Sequence, residues 1–201
     1  MTVPAAVKAV EAASKSLGFA MASDYETGAL LRSLVASKPG GRFLELGTGV
    51  GSATAWMLDG MNEASSLLTV DNNPDFTDIA EQHLGQDSRL DIQTEDALTV
   101  LKHLQGTQFD LIFADTWPGK LDQPELALEL LADGGMYVID DMNNRHKERL
   151  EPITGIEESV LQKIPKQLNE LVEMLYQRSD LHCSELNFST GIMLCTKHMK
   201  G

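Results

Sequence analysis

The chain has 201 residues, 42% of them hydrophobic, which fits a single domain over 1–201 with a sizeable core. Acids outnumber bases 30 to 16, a net charge of −14 that repels phosphate backbones, and the densest basic run, RHKER (145–149), is diluted by Glu148, so no nucleic-acid partner is expected. No run approaches the ~20 apolar residues of a membrane span, and the N-terminus lacks a basic-then-apolar signal, so no membrane partner and a cytoplasmic location are expected.

In chain order, helical patterns cover roughly Pro4 to Leu17 and Tyr25 to Ser37. GRFLEL (41–46) then predicts a first strand, SSLLTVD (65–71) a second, and the more polar RLDIQTED (89–96) a third, nearer an edge. FDLIFAD (109–115) and GGMYVID (134–140) are continuous apolar runs of the kind that buried parallel strands show. Helices are predicted between them at 51–60, 74–84, 96–104 and 123–131, followed by a long helix at about 156–178. LHCSELNF (181–188) and TGIMLCTK (190–197), split by a short turn containing Gly191, read as a hairpin finishing the sheet. The alternation predicts an α/β fold with a mostly parallel sheet. Cys183 and Cys195 form no CxxC and read as small apolar core residues in a reducing compartment.

Glu45, Asp71, Asp96, Asp115 and Asp140 each fall at or just past the C-terminal end of a predicted strand. Ligands of open α/β sheets bind along that edge, so five acids in register mark a site. Each acid taken singly could instead cap a helix, Asp96 most of all, because a helix follows it directly.

ELGTGVGSAT (45–54) joins the first strand to a helix, and Gly47, Gly49 and Gly51 permit a tight turn and close approach of a ligand. The dinucleotide fingerprint G-x-G-x-x-G is not met, because Ser52 occupies the slot of its third glycine. Glu45 beside a pyrophosphate would be costly, whereas beside the ammonium of an amino-acid moiety it would be favourable. Asp71, 20 residues beyond Gly51, stands where an acid accepts hydrogen bonds from ribose hydroxyls. Adenosine bearing an amino acid and no phosphate describes S-adenosylmethionine.

From about Gly18 to Thr196 the chain resembles the class I S-adenosylmethionine-dependent methyltransferases, and within them the O-methyltransferase branch of catechol, caffeoyl-CoA and small bacterial types. FLELGTGVGSAT, which includes Thr48, matches the first family motif; LLTVDNNPD (67–75), which includes Asn72, matches the second; EDALTVL (95–101), with Asp96 and Ala97, matches the segment near the adenine. GFAMASDYETGALL (18–31) resembles the stretch that folds over the cofactor, with Met21 and Ser23 toward its methionine end. The resemblance implies a Rossmann-like methyltransferase fold, a seven-stranded sheet with an antiparallel C-terminal strand, helices on both faces, and residues 1–38 as N-terminal helices or a cofactor lid. It also implies a small-molecule acceptor and, in many relatives, a homodimer.

In metal-dependent relatives, an Asp after the fourth strand and an Asp-Asn pair after the fifth bind a divalent cation. The matching residues are Asp115, Asp140 and Asp141, an oxygen-only set suited to Mg²⁺ or Ca²⁺. Asp141 departs from the family Asn. The alternative is that Asp140 hydrogen-bonds the loop or caps a helix while Asp141 is solvated. A phenol of pKa ~10 needs help to lose its proton. The family places a lysine three residues after the first of these acids; here Pro118 holds that position and Lys120 follows. Asp115, Lys120 and His146 are therefore the catalytic candidates, and Trp117 is a candidate wall for cofactor or acceptor. The other histidines lack ligand spacing. Two alternatives stay open: transfer without a metal, and a protein that binds S-adenosylmethionine without catalysis.

Overall fold

The strands are β1 (Arg42–Leu46), β2 (Ser66–Asp71), β3 (Leu90–Thr94), β4 (Phe109–Ala114), β5 (Leu131–Ile139), β6 (Leu181–Leu186) and β7 (Ile192–Lys197). The helices are α1 (Ala5–Ser14), α2 (Tyr25–Ala36), α3 (Ser52–Gly60), α4 (Pro74–Leu84), α5 (Ala97–His103), α6 (Pro124–Glu129), α7 (Glu158–Leu161) and α8 (Ile164–Gln177), with a 3₁₀ turn at Met142–His146. The computed structural model describes residues 2–15, 23–148, 150 and 156–199.

The strands form one sheet in the order β3-β2-β1-β4-β5-β7-β6. Pairings among β1 to β5 are parallel, and β7 runs antiparallel to both its neighbours. The C-terminal hairpin therefore finishes the sheet with a twist on expectation: β7 inserts between β5 and β6, leaving β6 at the edge. Residue alternation sends β1 side chains to two separate cores. Leu44 and Leu46 join Leu101, Leu128 and Leu168 on the face covered by α5, α6 and α8. Phe43 joins Val7, Leu31, Trp56 and Leu84 on the face covered by α1 to α4. Both α1 and α2 thus contribute to a core, and residues 16–22 between them lie outside the described residues.

Local chemistry explains most boundaries. Asn73 accepts from Asp75 N at the start of α4, with Pro74 in its first turn. In α8, Ile164, Leu168, Leu171, Val172 and Leu175 recur at three and four residues and form its buried stripe. The single long helix expected at 156–178 is two helices. Pro165 sits in the first turn of α8 and has no N–H to continue a helix from α7. Strand β5 begins at Leu131, ahead of the expected Gly134, through an irregular register against Phe109 and Leu111.

Cys183 and Cys195 correct the expectation of two separate small apolar residues. The β6–β7 register sets them directly opposite each other, with 4.1 Å between their Cα atoms, and they form a disulfide. Among the described residues, no helix is long and apolar enough to cross a membrane.

Candidate active site

Strands β1 and β4 lie side by side, but the chain leaves them toward opposite ends of the sheet, which opens a crevice at their carboxyl edge. A cavity of about 280 Å³ lies there, lined by Gly47, Val70, Asp71, Asn72, Asp96, Ala97, Thr116, Trp117 and Pro118. Five of the expected cofactor residues (Gly47, Asp71, Asn72, Asp96 and Ala97) are thereby brought together with Trp117. Thr116 carries no signal of its own in the sequence, and Pro118 stands out there only for holding the place of a lysine. Their position on either side of Trp117, in the loop after β4, is what brings them to the cavity.

The glycine loop turns its backbone donors inward. Gly47 N and Thr48 N both donate to Val70 O, at 2.9 and 3.2 Å, and Gly51 N donates to Thr48 O at 2.9 Å. Gly49 N donates to Asp71 Oδ2 at 2.8 Å, while Asp71 Oδ1 accepts from Asn73 N at 3.0 Å. Four loop N–H groups are thus spent within the protein, where a phosphate-binding loop would aim them at the ligand. Gly47, at φ +101°, passes so close to the next strand that a Cβ would fall 2.9 Å from Asp115 O. Ser52 is buried at the start of α3 with its hydroxyl unpartnered.

Glu45 is not among the residues that line this cavity. Its side chain shares the Phe43 face and is fully buried (0% exposed). Its cross-strand partner is Thr69, and the hydroxyls of Thr69 and of Thr54 on α3 both donate to Oε2. Thr48 Oγ1 lies 2.6 Å from Thr69 Oγ1, so the carboxyl is tied to the loop from behind. Oε1 has no partner. Burial pushes the Glu45 carboxyl up to about 7, against the pull of the two hydroxyls, with a small further push from Asp71. Asp96 does cap a helix, as the alternative had it: Oδ1 accepts from Thr99 N and Thr99 Oγ1 at the start of α5. It still faces the cavity.

Asp115 follows β4 and receives a contact from Ser23 Oγ at 3.4 Å, which links the segment before α2 to the carboxylates. Met21 lies outside the described residues. Burial, and next the charge of Asp140, raise the Asp115 carboxyl well above the usual range, partly offset by Lys120. Asp140 is buried and is pushed up to about 6, chiefly by that burial. Its Oδ1 accepts from Thr190 Oγ1 and, at 2.7 Å, from Asp141 N. Asp141 adopts φ +63° and its side chain is 43% exposed. This is close to the alternative in which Asp140 bonds the loop and Asp141 is solvated. Among the described residues, no group of three or more His, Cys, Asp and Glu is arranged to hold a metal ion. With the Lys120 ammonium 4.0 Å from Asp141 Oδ2, the donor set as it stands does not fit a Mg²⁺ or Ca²⁺ site, because that charge repels a second cation. His146, at the end of the 3₁₀ turn, is exposed.

Residues 44–142 match the family profile described as a methyltransferase domain. Two curated mycobacterial relatives, named provisionally as O-methyltransferases, are similar over part of their length. That of Mycobacterium avium is 34% identical over 119 residues, 56% of this chain and 53% of the relative. That of Mycolicibacterium smegmatis is 37% identical over 120 residues, 56% of each. The chain thus spans little more than half the length of these relatives. Among solved structures, the O-methyltransferase from Bacillus cereus in complex with SAH superposes with a TM-score of 0.81 at 19% identity, covering 98% of this chain and 92% of that one. The O-methyltransferase TomG from Streptomyces achromogenes, in complex with SAM, gives 0.81 at 23% identity, covering 98% and 91%. The chain has the Rossmann-like methyltransferase fold, and its motif resemblance to the O-methyltransferases is borne out.

Proposed function

We propose that the chain transfers a methyl group from S-adenosylmethionine to a hydroxyl oxygen of a small-molecule acceptor. The observation that carries this is the inward-turned glycine loop beside an acid-lined cavity. A dinucleotide needs N–H donors for its pyrophosphate, whereas a phosphate-free nucleoside with cationic groups needs acceptors. Asp71 and Asp96 supply acceptors at the cavity wall, and each carboxylate oxygen retains lone pairs beyond the bonds described. When bound, the cofactor supplies a methyl already activated on a sulfonium, so the protein's task is alignment.

Trp117 gives the cavity an apolar wall beside which an acceptor ring can lie. Asp115 is the proposed acceptor of the hydroxyl proton. Its support is its position beside Gly47 and Thr116 at the cavity edge, together with a proton affinity raised by burial and by Asp140. His146, exposed on its turn, is given no role. The donor arrangement lends no support to a divalent cation on Asp115, Asp140 and Asp141, and no step is routed through one.

Thermal-shift titration with S-adenosylmethionine, S-adenosylhomocysteine and NAD tests the cofactor. Stabilisation by the first two and not by NAD is expected; stabilisation by NAD alone overturns the reading. Transfer of labelled methyl to a panel of phenols and other hydroxyl compounds tests the reaction, and cofactor binding with no product from any of them leaves a binding protein instead. The homodimer that the family resemblance implies is checked by light scattering.

A further inference from the structure

The loop after β4 carries a lysine into the interior. Lys120 is 5% exposed, a position that an ammonium rarely holds without partners. Its Nζ lies 4.0 Å from Asp141 Oδ2, and its charge acts on both Asp115 and Asp140. One tethered cation thus stands by Asp141 and acts at longer range on Asp115 and Asp140, carboxylates from the ends of two adjacent strands.

The backbone is built to keep it there. Lys120 N, Leu121 N and Asp122 N all donate to Trp117 O, at 3.0, 2.8 and 3.0 Å, and Gly119 N donates to Asp122 O at 2.8 Å. Gly119 has φ +76°, and a Cβ there would meet Leu46 Cδ1 at 2.6 Å, so only glycine brings the loop this close to β1. The buried Tyr137 hydroxyl donates to Gly119 O and pins the loop to β5. The lysine is thus fixed by its loop as well as by charge.

We propose that Lys120 Nζ is the resident cation of this site, standing in for an exchangeable divalent ion among Asp115, Asp140 and Asp141, so that the transfer needs no added metal. An ammonium at this position repels a second cation and supplies part of the positive charge that three adjoining acids require. Lys120 acts through the carboxylates, as a positioning residue. The proposal rests on the methyltransferase reading of the site, but its test reads cation binding, so either can fail alone.

The test is calorimetric titration of the full chain with Mg²⁺ and with Ca²⁺, beside Lys120→Met and Lys120→Arg. The wild type is expected to give no saturable heat and no rise in Tm at millimolar cation. Lys120→Met, which keeps the apolar stem and deletes the charge, is expected to gain saturable binding and a Tm that rises with cation; Lys120→Arg is expected to remain silent. Saturable binding by the wild type overturns the proposal. So does silence from a folded Lys120→Met, since the ammonium would then not be what keeps metal out. Should Lys120→Met not fold, the wild-type titration with and without prior EDTA treatment decides alone, binding in either sample refuting it and silence in both supporting it.

Discussion

Glu45 makes stability depend on pH in a direction opposite to that of a salt-bridged acid. Its carboxyl ordinarily ionises near 4.5 and is held up to about 7 in the fold, with burial as the main cause. Between those values the folded chain carries a proton that the unfolded chain has lost. The contribution to stability is therefore complete below about pH 4.5 and is lost as pH rises toward and through 7. Holding one proton more than the unfolded chain changes stability by about 1.4 kcal/mol for each step of one in pH, so the loss between pH ~5.5 and pH ~8 is about 2 kcal/mol from this group alone. Glu45→Gln keeps an acceptor for Thr54 and Thr69 and removes the titration. Urea unfolding followed by the fluorescence of Trp56 and Trp117 across this range measures both slopes. The variant is expected to lose about 2 kcal/mol less than the wild type over the window, whatever its absolute stability. Asp115 and Asp140 are raised too and steepen both curves; the Glu45 charge is the smallest of the causes acting on Asp115, so the difference reports chiefly Glu45. Equal slopes in the two proteins would refute the buried, proton-holding carboxyl.

Gly47→Ala places a Cβ at φ +101° and 2.9 Å from Asp115 O, so a loss of about 2 kcal/mol and a Tm lower by about 4–8 °C are expected, with weakened S-adenosylhomocysteine binding by calorimetry. Tyr137→Phe leaves Gly119 O without its hydroxyl donor in a buried setting, and a drop of about 1–3 kcal/mol in urea unfolding is expected. Cys183→Ser opens a disulfide that spans 12 residues and is expected to cost about 3 kcal/mol; alkylation of the unreduced wild type should add no label.

Much of this was legible because the sequence pattern and the packing obey the same periodicities. Continuous apolar runs predicted β4 and β5, which are buried on both faces along β4 and over Tyr137–Ile139 of β5, and acids at strand ends predicted the edge where the cavity lies. Where a residue's role depended on which face it took, spacing alone could not decide. Glu45 follows Phe43 by two positions and so shares its face, toward α3; that parity was available in the sequence and predicts the buried bond to Thr54. The break at Pro165 was likewise readable, since proline belongs in a first helical turn. The insertion of β7 between β5 and β6 and the Cys183–Cys195 pairing were not, because both depend on long-range register. Lys120 was visible only as a lysine displaced from the family position; its burial comes from Gly119 and Tyr137, contacts made by the fold.

The glycine loop shows why a motif has to be read through its hydrogen bonds. Three glycines after a strand are compatible with a phosphate cradle and equally with a bare turn. What separates these is the use of the N–H groups, and here those of Gly47, Thr48, Gly49 and Gly51 are all taken up within the protein. The loop then offers close approach without anion affinity. Behind it Glu45 is tied to Thr54 and Thr69, and beside it Asp71 holds Gly49, so the chain's acids do the structural work of the loop as well as setting its field. Such a field disfavours an anionic ligand and favours a cationic one. That is the electrostatic character a sulfonium donor requires, and it follows from where the acids are anchored, whether or not any of them touches the ligand.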